Sequence, residues 1–264
     1  MEPERRVLIT GASSGLGREM ARQLARRRWR IAVTARREDE LRETARLTES
    51  AGGECLTLVG SVTERDTVKR HYAAIRERWG GLDWAILNAG IGRSTDARDF
   101  RGEDYHRTFA TNVGGVVNWL EAVLPDMIQA RSGTVAGISS LAALRGLPKA
   151  GAYSASKAAL STLLESTRVD LRGTGVDVVT VCPGFIRNGS GRPEDDRGKP
   201  FLMELEDGVR CILAGIDRKR RIVHFPWQLS YLMKYVVHNL PAFSYDWVIG
   251  KAAGRGERPA GKPA

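Results

Sequence analysis

The stretch Val7-Leu8-Ile9-Thr10-Gly11-Ala12-Ser13-Ser14-Gly15-Leu16-Gly17 decides how this chain is read. A short apolar run has the length of a buried strand. The glycine-rich turn after it opens a segment whose apolar residues include Met20, Leu24 and Ala25. Glycine lets the backbone turn tightly and approach a ligand, while free N–H groups and the helix dipole at a helix start favour an anion. Gly11, Ser13, Ser14, Gly15, Leu16 and Gly17 are therefore candidate contacts for the pyrophosphate of a dinucleotide. The spacing is G-x-x-x-G-x-G rather than G-x-G-x-x-G. Taken alone, an ordinary strand-to-helix turn would read the same way.

Outward from this turn, apolar runs at residues 7–10, 31–35, 55–59, 84–87, 134–138 and 176–182 read as strands separated by helix-length amphipathic segments. Strand and helix in alternation predict an α/β fold, a doubly wound parallel sheet of Rossmann-like type. Gly52-Gly53, Gly80-Gly81 and Gly173 fall where helix C-caps belong. The expected organisation is a single domain over residues 1–223, an amphipathic extension over 224–250 and a disordered tail over 251–264. Residues 188–200, rich in Gly, Pro and charge, read as a mobile loop that could cover a site.

The second strand ends in Ala35-Arg36-Arg37. An acid at that point would bind the ribose 2'-hydroxyl of NAD, whereas arginine suits the 2'-phosphate of NADP. Asp39 and Glu40 fall a turn too late for the first role. Arg36 and Arg37 therefore favour NADP(H), although they also suit the start of an exposed helix. Further on, Tyr153-Ser154-Ala155-Ser156-Lys157 puts a phenol and an ammonium four residues apart on one helix face. A free phenol has a pKa of ~10 and exchanges protons poorly at neutral pH unless a nearby cation stabilises its anion. Lys157 can provide that charge, though a surface pair at this spacing is common.

In this order and spacing the motifs resemble the short-chain dehydrogenase/reductase family: Thr10 to Gly17, Asn88-Ala89-Gly90, Asn112, Ser139-Ser140, Tyr153 to Lys157 and Pro183-Gly184. The resemblance spans residues 5–223. It implies a catalytic tetrad of Asn112, Ser140, Tyr153 and Lys157, with Ser140 preferred over Ser139 because the family's serine precedes its tyrosine by thirteen residues. It implies that Ser140 bonds the substrate oxygen, that Tyr153 gives or takes its proton, and that Lys157 lowers the tyrosine pKa and bonds the cofactor ribose. Asn112 is implied to hold a proton-relaying water. Asn88, Ala89 and Gly90 would border the cofactor, with Pro183, Gly184 and Ile186 behind the nicotinamide. Ser61 and Val62 stand near the adenine site, where relatives commonly have Asp. Asn188 replaces a common Thr at the carboxamide.

Cys55, Cys182 and Cys211, like the four histidines, lack ligand spacing, so no metal is expected. The net charge of +10 raises nucleic acid, an anionic membrane or an anionic cofactor as partners. No nucleic-acid motif accompanies it, so nucleic acid is not expected. Residues 210–264 hold ten Lys or Arg against three Asp or Glu, beside the aromatic-rich stretch 225–238. That stretch could cap the pocket, pack on a second subunit or make peripheral contact with a membrane surface. The chain is expected to be cytoplasmic and a homodimer or homotetramer. Leu141, Leu144 and Leu147 would give the substrate site an apolar wall, favouring a lipophilic carbonyl of steroid, retinoid or fatty-aldehyde type. The rival readings are a catalytically idle NADP(H) sensor and an association module built on the basic tail.

Overall fold

The computed structural model of the chain describes residues 5–187, 196 and 198–254. In β1 (Arg6–Thr10) the side chains alternate between two cores, Val7 and Ile9 on one face of the sheet and Leu8 on the other. A strand apolar on both faces can sit only in the middle of a covered sheet. The same holds for β2 (Arg30–Ala35), β4 (Trp84–Leu87), β5 (Gly133–Ile138) and β6 (Val176–Pro183), with β3 (Glu54–Val59) outside them. The strand order is β3-β2-β1-β4-β5-β6-β9, with β9 at Ile222–Phe225, and every pairing is parallel. This is the doubly wound, Rossmann-like sheet that the alternation predicts.

Helices cover both faces. Met20 and Leu24 of α1 (Gly15–Ala25), Leu41 of α2 (Glu38–Ser50) and Ile212 of α7 (Leu205–Asp217) join the core that holds Val7 and Ile9. On the other face lie Ile75 of α3 (Arg65–Trp79), Trp119 of α5 (Gly115–Gln129) and Leu164 of α6 (Gly151–Asp170). Helix α4 (Gly102–Phe109) runs into α5 through a π-helical turn at Ala110–Gly114.

The seventh strand, β9 (Ile222–Phe225), is absent from the sequence reading. It has only four residues, and Ile222 and His224 are exposed, so it shows too little of the buried-strand pattern to stand out. It carries the sheet across the boundary expected at residue 223. From its end the chain continues directly into α8 (Trp227–Tyr231), a π-helical segment at Leu232–Val237 and α9 (Ala242–Gly254). A small parallel ribbon joins β7 (Ile186–Arg187) to β8 (Met203–Glu204). Helix α9 extends into the tail expected to be disordered, and residues 255–264 lie outside the described residues. Most of the expected mobile loop, residues 188–195 and 197, lies outside them too.

At the base of the sheet Arg6 fastens β1 to the start of β4. Its Nε and Nη2 donate to the two carboxylate oxygens of Asp83, each at 3.0 Å, and its Nη1 donates to the Trp79 carbonyl at 2.9 Å. Burial pushes the Asp83 carboxyl up, but hydrogen bonds from the Arg6 side chain and backbone together pull it below its ordinary value. A carboxyl depressed in the folded state stabilises fully above its unfolded value of about 4, and this contribution is lost as pH falls through the folded value. Asp83→Asn should therefore cost about 1 kcal/mol at pH 7 and flatten the acid limb of stability. Urea midpoints measured from neutral pH down to strong acid check this, and parallel curves for the two proteins would refute it.

Candidate active site

The strand order reverses between β1 and β4, and in open α/β sheets ligands bind above the C-terminal strand ends at such a point. A cleft of about 810 Å³ opens there. Its floor is set by Thr10, whose hydroxyl accepts the N–H groups of Asn88 and Ala89, both at 2.9 Å. Asn88 Nδ2 donates in return to the carbonyls of Thr10 at 2.9 Å and Gly11 at 3.2 Å. Gly11 has φ +66°, and a Cβ there would stand 2.7 Å from Ala89 Cα, so only glycine fits.

Gly11, Ser13, Ser14, Gly15 and Leu16 line the cleft with Asn88, Ala89 and Gly90. Asn88 is expected to border the cofactor, but its amide is spent on bracing the loop. Gly17 packs behind the loop, with its Cβ position 2.5 Å from the Gly11 carbonyl oxygen.

Arg36 and Arg37 form the cationic end. Arg37 Nη2 donates to Ser13 Oγ at 2.9 Å and Ser14 Oγ at 3.0 Å, while Nη1 meets Glu40 at 3.2 Å. Ser14 occupies the N-cap of α1 without making a side-chain capping bond, so it leaves the first-turn N–H groups uncapped. Two guanidinium groups, two hydroxyls and an uncapped helix start in one cleft make a donor set that fits a phosphorylated dinucleotide. Ser61 and Val62 also line the cleft. The Ser61 hydroxyl is paired with Thr63 at 2.8 Å, and Val62 packs against the Gly115 backbone.

At the other end Lys157 and Tyr153 meet. Lys157 Nζ is buried, donates to the Ile138 carbonyl at 2.7 Å, and lies 5.7 Å from the centroid of the Tyr153 ring. Burial lowers the lysine to about 8. Burial also raises the Tyr153 phenol, and the nearby Ser140 hydroxyl pulls it partly back. At neutral pH the phenol is therefore protonated.

The two serines part company. Ser139 lines the main cleft, its Oγ donating to the Lys157 carbonyl at 3.0 Å and pairing with Ser161 at 2.7 Å, whereas Ser140 Oγ accepts the Ala142 N–H at 3.1 Å and donates to the Pro183 carbonyl at 3.5 Å.

Asn112 is fully buried at the π-helical turn. Its Oδ1 accepts the Ile91 N–H at 2.8 Å, and its Nδ2 donates to the Ile91 carbonyl at 3.0 Å and to Ser156 at 2.9 Å. Both polar atoms of the Asn112 side chain are thus occupied with protein partners. A Cβ on Gly90 would stand 3.3 Å from both Asn112 Oδ1 and Lys157 Nζ, so that glycine marks where the two side chains approach each other.

Pro183 lines the cleft. Gly184 donates its N–H to Phe225 at 2.7 Å, and Ile186 pairs with Met203 and packs into the core, so both support the wall from behind. Asn188 lies outside the described residues. Leu141 and Leu144 line a separate cavity of about 230 Å³ together with Ser140. Arg107 of α4 and Thr111 of the π-helical turn also line the main cleft, and no sequence motif marks either of them out.

The model of the short chain dehydrogenase family matches residues 5–197. An uncharacterized oxidoreductase of Myxococcus xanthus is 43% identical over 226 residues, covering 86% of this chain and 89% of its own. An 11-beta-hydroxysteroid dehydrogenase 1A of Arabidopsis thaliana is 33% identical over 256 residues, covering 89% of this chain and 72% of its own. Among solved structures, levodione reductase superposes with TM-score 0.78 at 25% identity, covering 86% of this chain and 97% of its own. An alcohol dehydrogenase of Thermococcus sibiricus complexed with 5-hydroxy-NADP superposes with TM-score 0.74 at 25% identity, covering 84% and 95%.

Removing the Asn112 amide strands the partly buried N–H and C=O of Ile91 and loosens the π-helical turn. Asn112→Ala should destabilise the protein by about 2–3 kcal/mol. Thermal unfolding reads the loss, and a melting point within error of wild type would overturn this reading of the amide.

Proposed function

The chain belongs to the short-chain dehydrogenase/reductase family, and from that premise we propose that it is an NADP(H)-dependent oxidoreductase interconverting a carbonyl with a primary or secondary alcohol. The observation that carries this reading is the pairing of Tyr153 with the buried Lys157 at one end of a cleft whose other end is cationic. NADP(H), when bound, gives or takes the hydride. Held by Gly11, Ser13, Ser14, Gly15 and Leu16 along its phosphates and by Arg36 and Arg37 at its 2'-phosphate, it would reach towards Pro183.

Ser140 hydrogen-bonds the substrate oxygen and orients it. Tyr153 hands that oxygen a proton during reduction and removes one during oxidation. Because burial keeps the phenol protonated at neutral pH, the free site is set for donation. Lys157 supplies the positive charge that limits the cost of the phenolate. Asn112 positions the Gly90–Ile91 strand end against Lys157 rather than touching substrate.

A lipophilic substrate of steroid, retinoid or fatty-aldehyde type is supported by the cavity beside Ser140, which Leu141, Ala143, Leu144 and Ile222 line. Exposed Val117 and Ile128 on α5 and Val169 on α6 support assembly as a homodimer or homotetramer.

Two substitutions test the two ends of the cleft. Arg37→Ala should weaken NADPH binding by about tenfold or more, the value of a charge-assisted bond, and leave NADH nearly unchanged. Equal losses for both nucleotides would remove the 2'-phosphate role. Tyr153→Phe should lower turnover by about 10²–10⁴-fold with NADPH affinity preserved. Turnover is followed as NADPH oxidation against steroid, retinoid, fatty-aldehyde and small ketone substrates. A Tyr153→Phe protein as active as wild type would sink the proposed chemistry.

A further inference from the structure

The C-terminal helices have an inner and an outer face. Leu229 and Ser230 of α8 are buried, and Tyr245 of α9 is buried with its hydroxyl donating to the Gly146 carbonyl. A residue two positions away on an α-helix points to nearly the opposite side. Trp227 and Tyr231 flank Leu229 in this way, and Phe243 and Trp247 flank Tyr245. These four are correspondingly exposed, at 73%, 61%, 77% and 68%. Tyr235, whose ring centroid lies 5.1 Å from that of Tyr231, is 56% exposed. So many large aromatic side chains left in water on one short segment need an occupant.

The charge around them selects it. Lys234 Nζ lies 5.3 Å from the ring centroid of Tyr235, and Lys251 Nζ lies 5.1 Å from that of Trp247. From Trp227 to Gly254 the sequence holds one carboxylate, Asp246, against these two lysines. In a two-fold contact with a second copy, each basic aromatic face would meet its like. Aromatic rings interleaved with lysines and almost no acid suit the interfacial zone of an anionic bilayer, where rings sit at headgroup level and lysines reach the phosphates. The basic run Arg218 to Arg221 does not contribute, since it precedes β9 at the opposite end of that strand and Lys219 there is paired with Asp177 at 2.8 Å.

We propose that the outer face of α8 and α9, centred on Trp227, Tyr231, Phe243 and Trp247, docks the protein peripherally on an anionic lipid surface. No helix among the described residues is long and apolar enough to cross a membrane, which fits binding in the interface plane.

The test is co-sedimentation of the purified full chain with vesicles of phosphatidylcholine alone and with phosphatidylglycerol added, beside its oligomeric state by analytical ultracentrifugation. Wild type should pellet with the anionic vesicles and release as salt rises. A Trp227→Ser/Phe243→Ser/Trp247→Ser protein should lose binding while keeping its oligomeric state and NADPH affinity. A Lys234→Glu/Lys251→Glu protein should bind anionic vesicles about tenfold or more weakly, since each lysine at such a surface contributes about 1 kcal/mol. Wild type remaining in solution with both vesicle types overturns the proposal, as does unaltered binding by the triple variant. A triple variant that falls to a smaller oligomer, with no vesicle binding by wild type, gives the face to a second copy and also overturns it.

Discussion

The site rests on one latch. Thr10 ends the first strand and Asn88 follows the fourth, and each holds the other's backbone: the Thr10 hydroxyl accepts two N–H groups, and the Asn88 amide donates to two carbonyls. These strands are the pair at which the sheet order reverses. Parallel strands splay where their helices leave on opposite faces, and the latch closes that gap on the loop that must stay open to a ligand. It satisfies turn carbonyls and N–H groups that would otherwise be stranded near the core. It also draws Gly11 to within a methyl's width of Ala89, which makes glycine obligatory there. Fold and site share these bonds, so the cleft cannot be loosened without loosening the sheet.

The far end of the cleft is governed by a burial conflict. A lysine enclosed this deeply loses hydration, and its affinity for a proton drops accordingly. The Ile138 carbonyl, the only hydrogen-bond acceptor seen for Nζ among the described residues, offsets part of that loss. Tyr153 suffers the same desolvation with the opposite consequence, since its anion is what burial penalises. One environment thus keeps the phenol neutral and makes the ammonium labile. Both shifts lower the charge of the resting site, and an anionic cofactor with a ribose hydroxyl near Nζ would add the polar partner that the ammonium lacks.

Much of this was legible in the chain. The glycine turn, the arginines after the second strand and the Tyr153–Lys157 pair each depend on local spacing, which a sequence displays directly. The doubly wound sheet followed from apolar runs of the right length. What was not legible depends on long-range partners. Asn88 and Asn112 look like ligand-facing amides in a sequence; the Asn88 amide bonds the Thr10 and Gly11 carbonyls, and the Asn112 amide bonds both backbone groups of Ile91 and the Ser156 hydroxyl. The partners of Gly184 and Ile186 are equally remote, since the Gly184 N–H donates to Phe225 of β9 and Ile186 pairs with Met203 of β8. Strand β9 was hidden because an edge strand alternates in and out of solvent over only four residues.

The C-terminal extension joins the site through backbone acceptors rather than through packing alone. Arg145 Nη1 donates to the carbonyls of His238 at 2.9 Å and Leu240 at 3.1 Å, its guanidinium lies 4.2 Å from the Tyr245 ring centroid, and the His238 ring bonds the Leu144 carbonyl at 2.9 Å. The loop that follows Ser140 therefore owes its shape to residues more than ninety positions later. A guanidinium bonded to two carbonyls and stacked on a ring fixes both position and tilt, which a single contact would not. Ser230 and Lys234 then line the same cavity as Ser140 and Leu144. Loop, cavity and extension are thus tied by shared side chains, whereas the glycine turn at the other end of the cleft is braced independently by the Thr10–Asn88 latch.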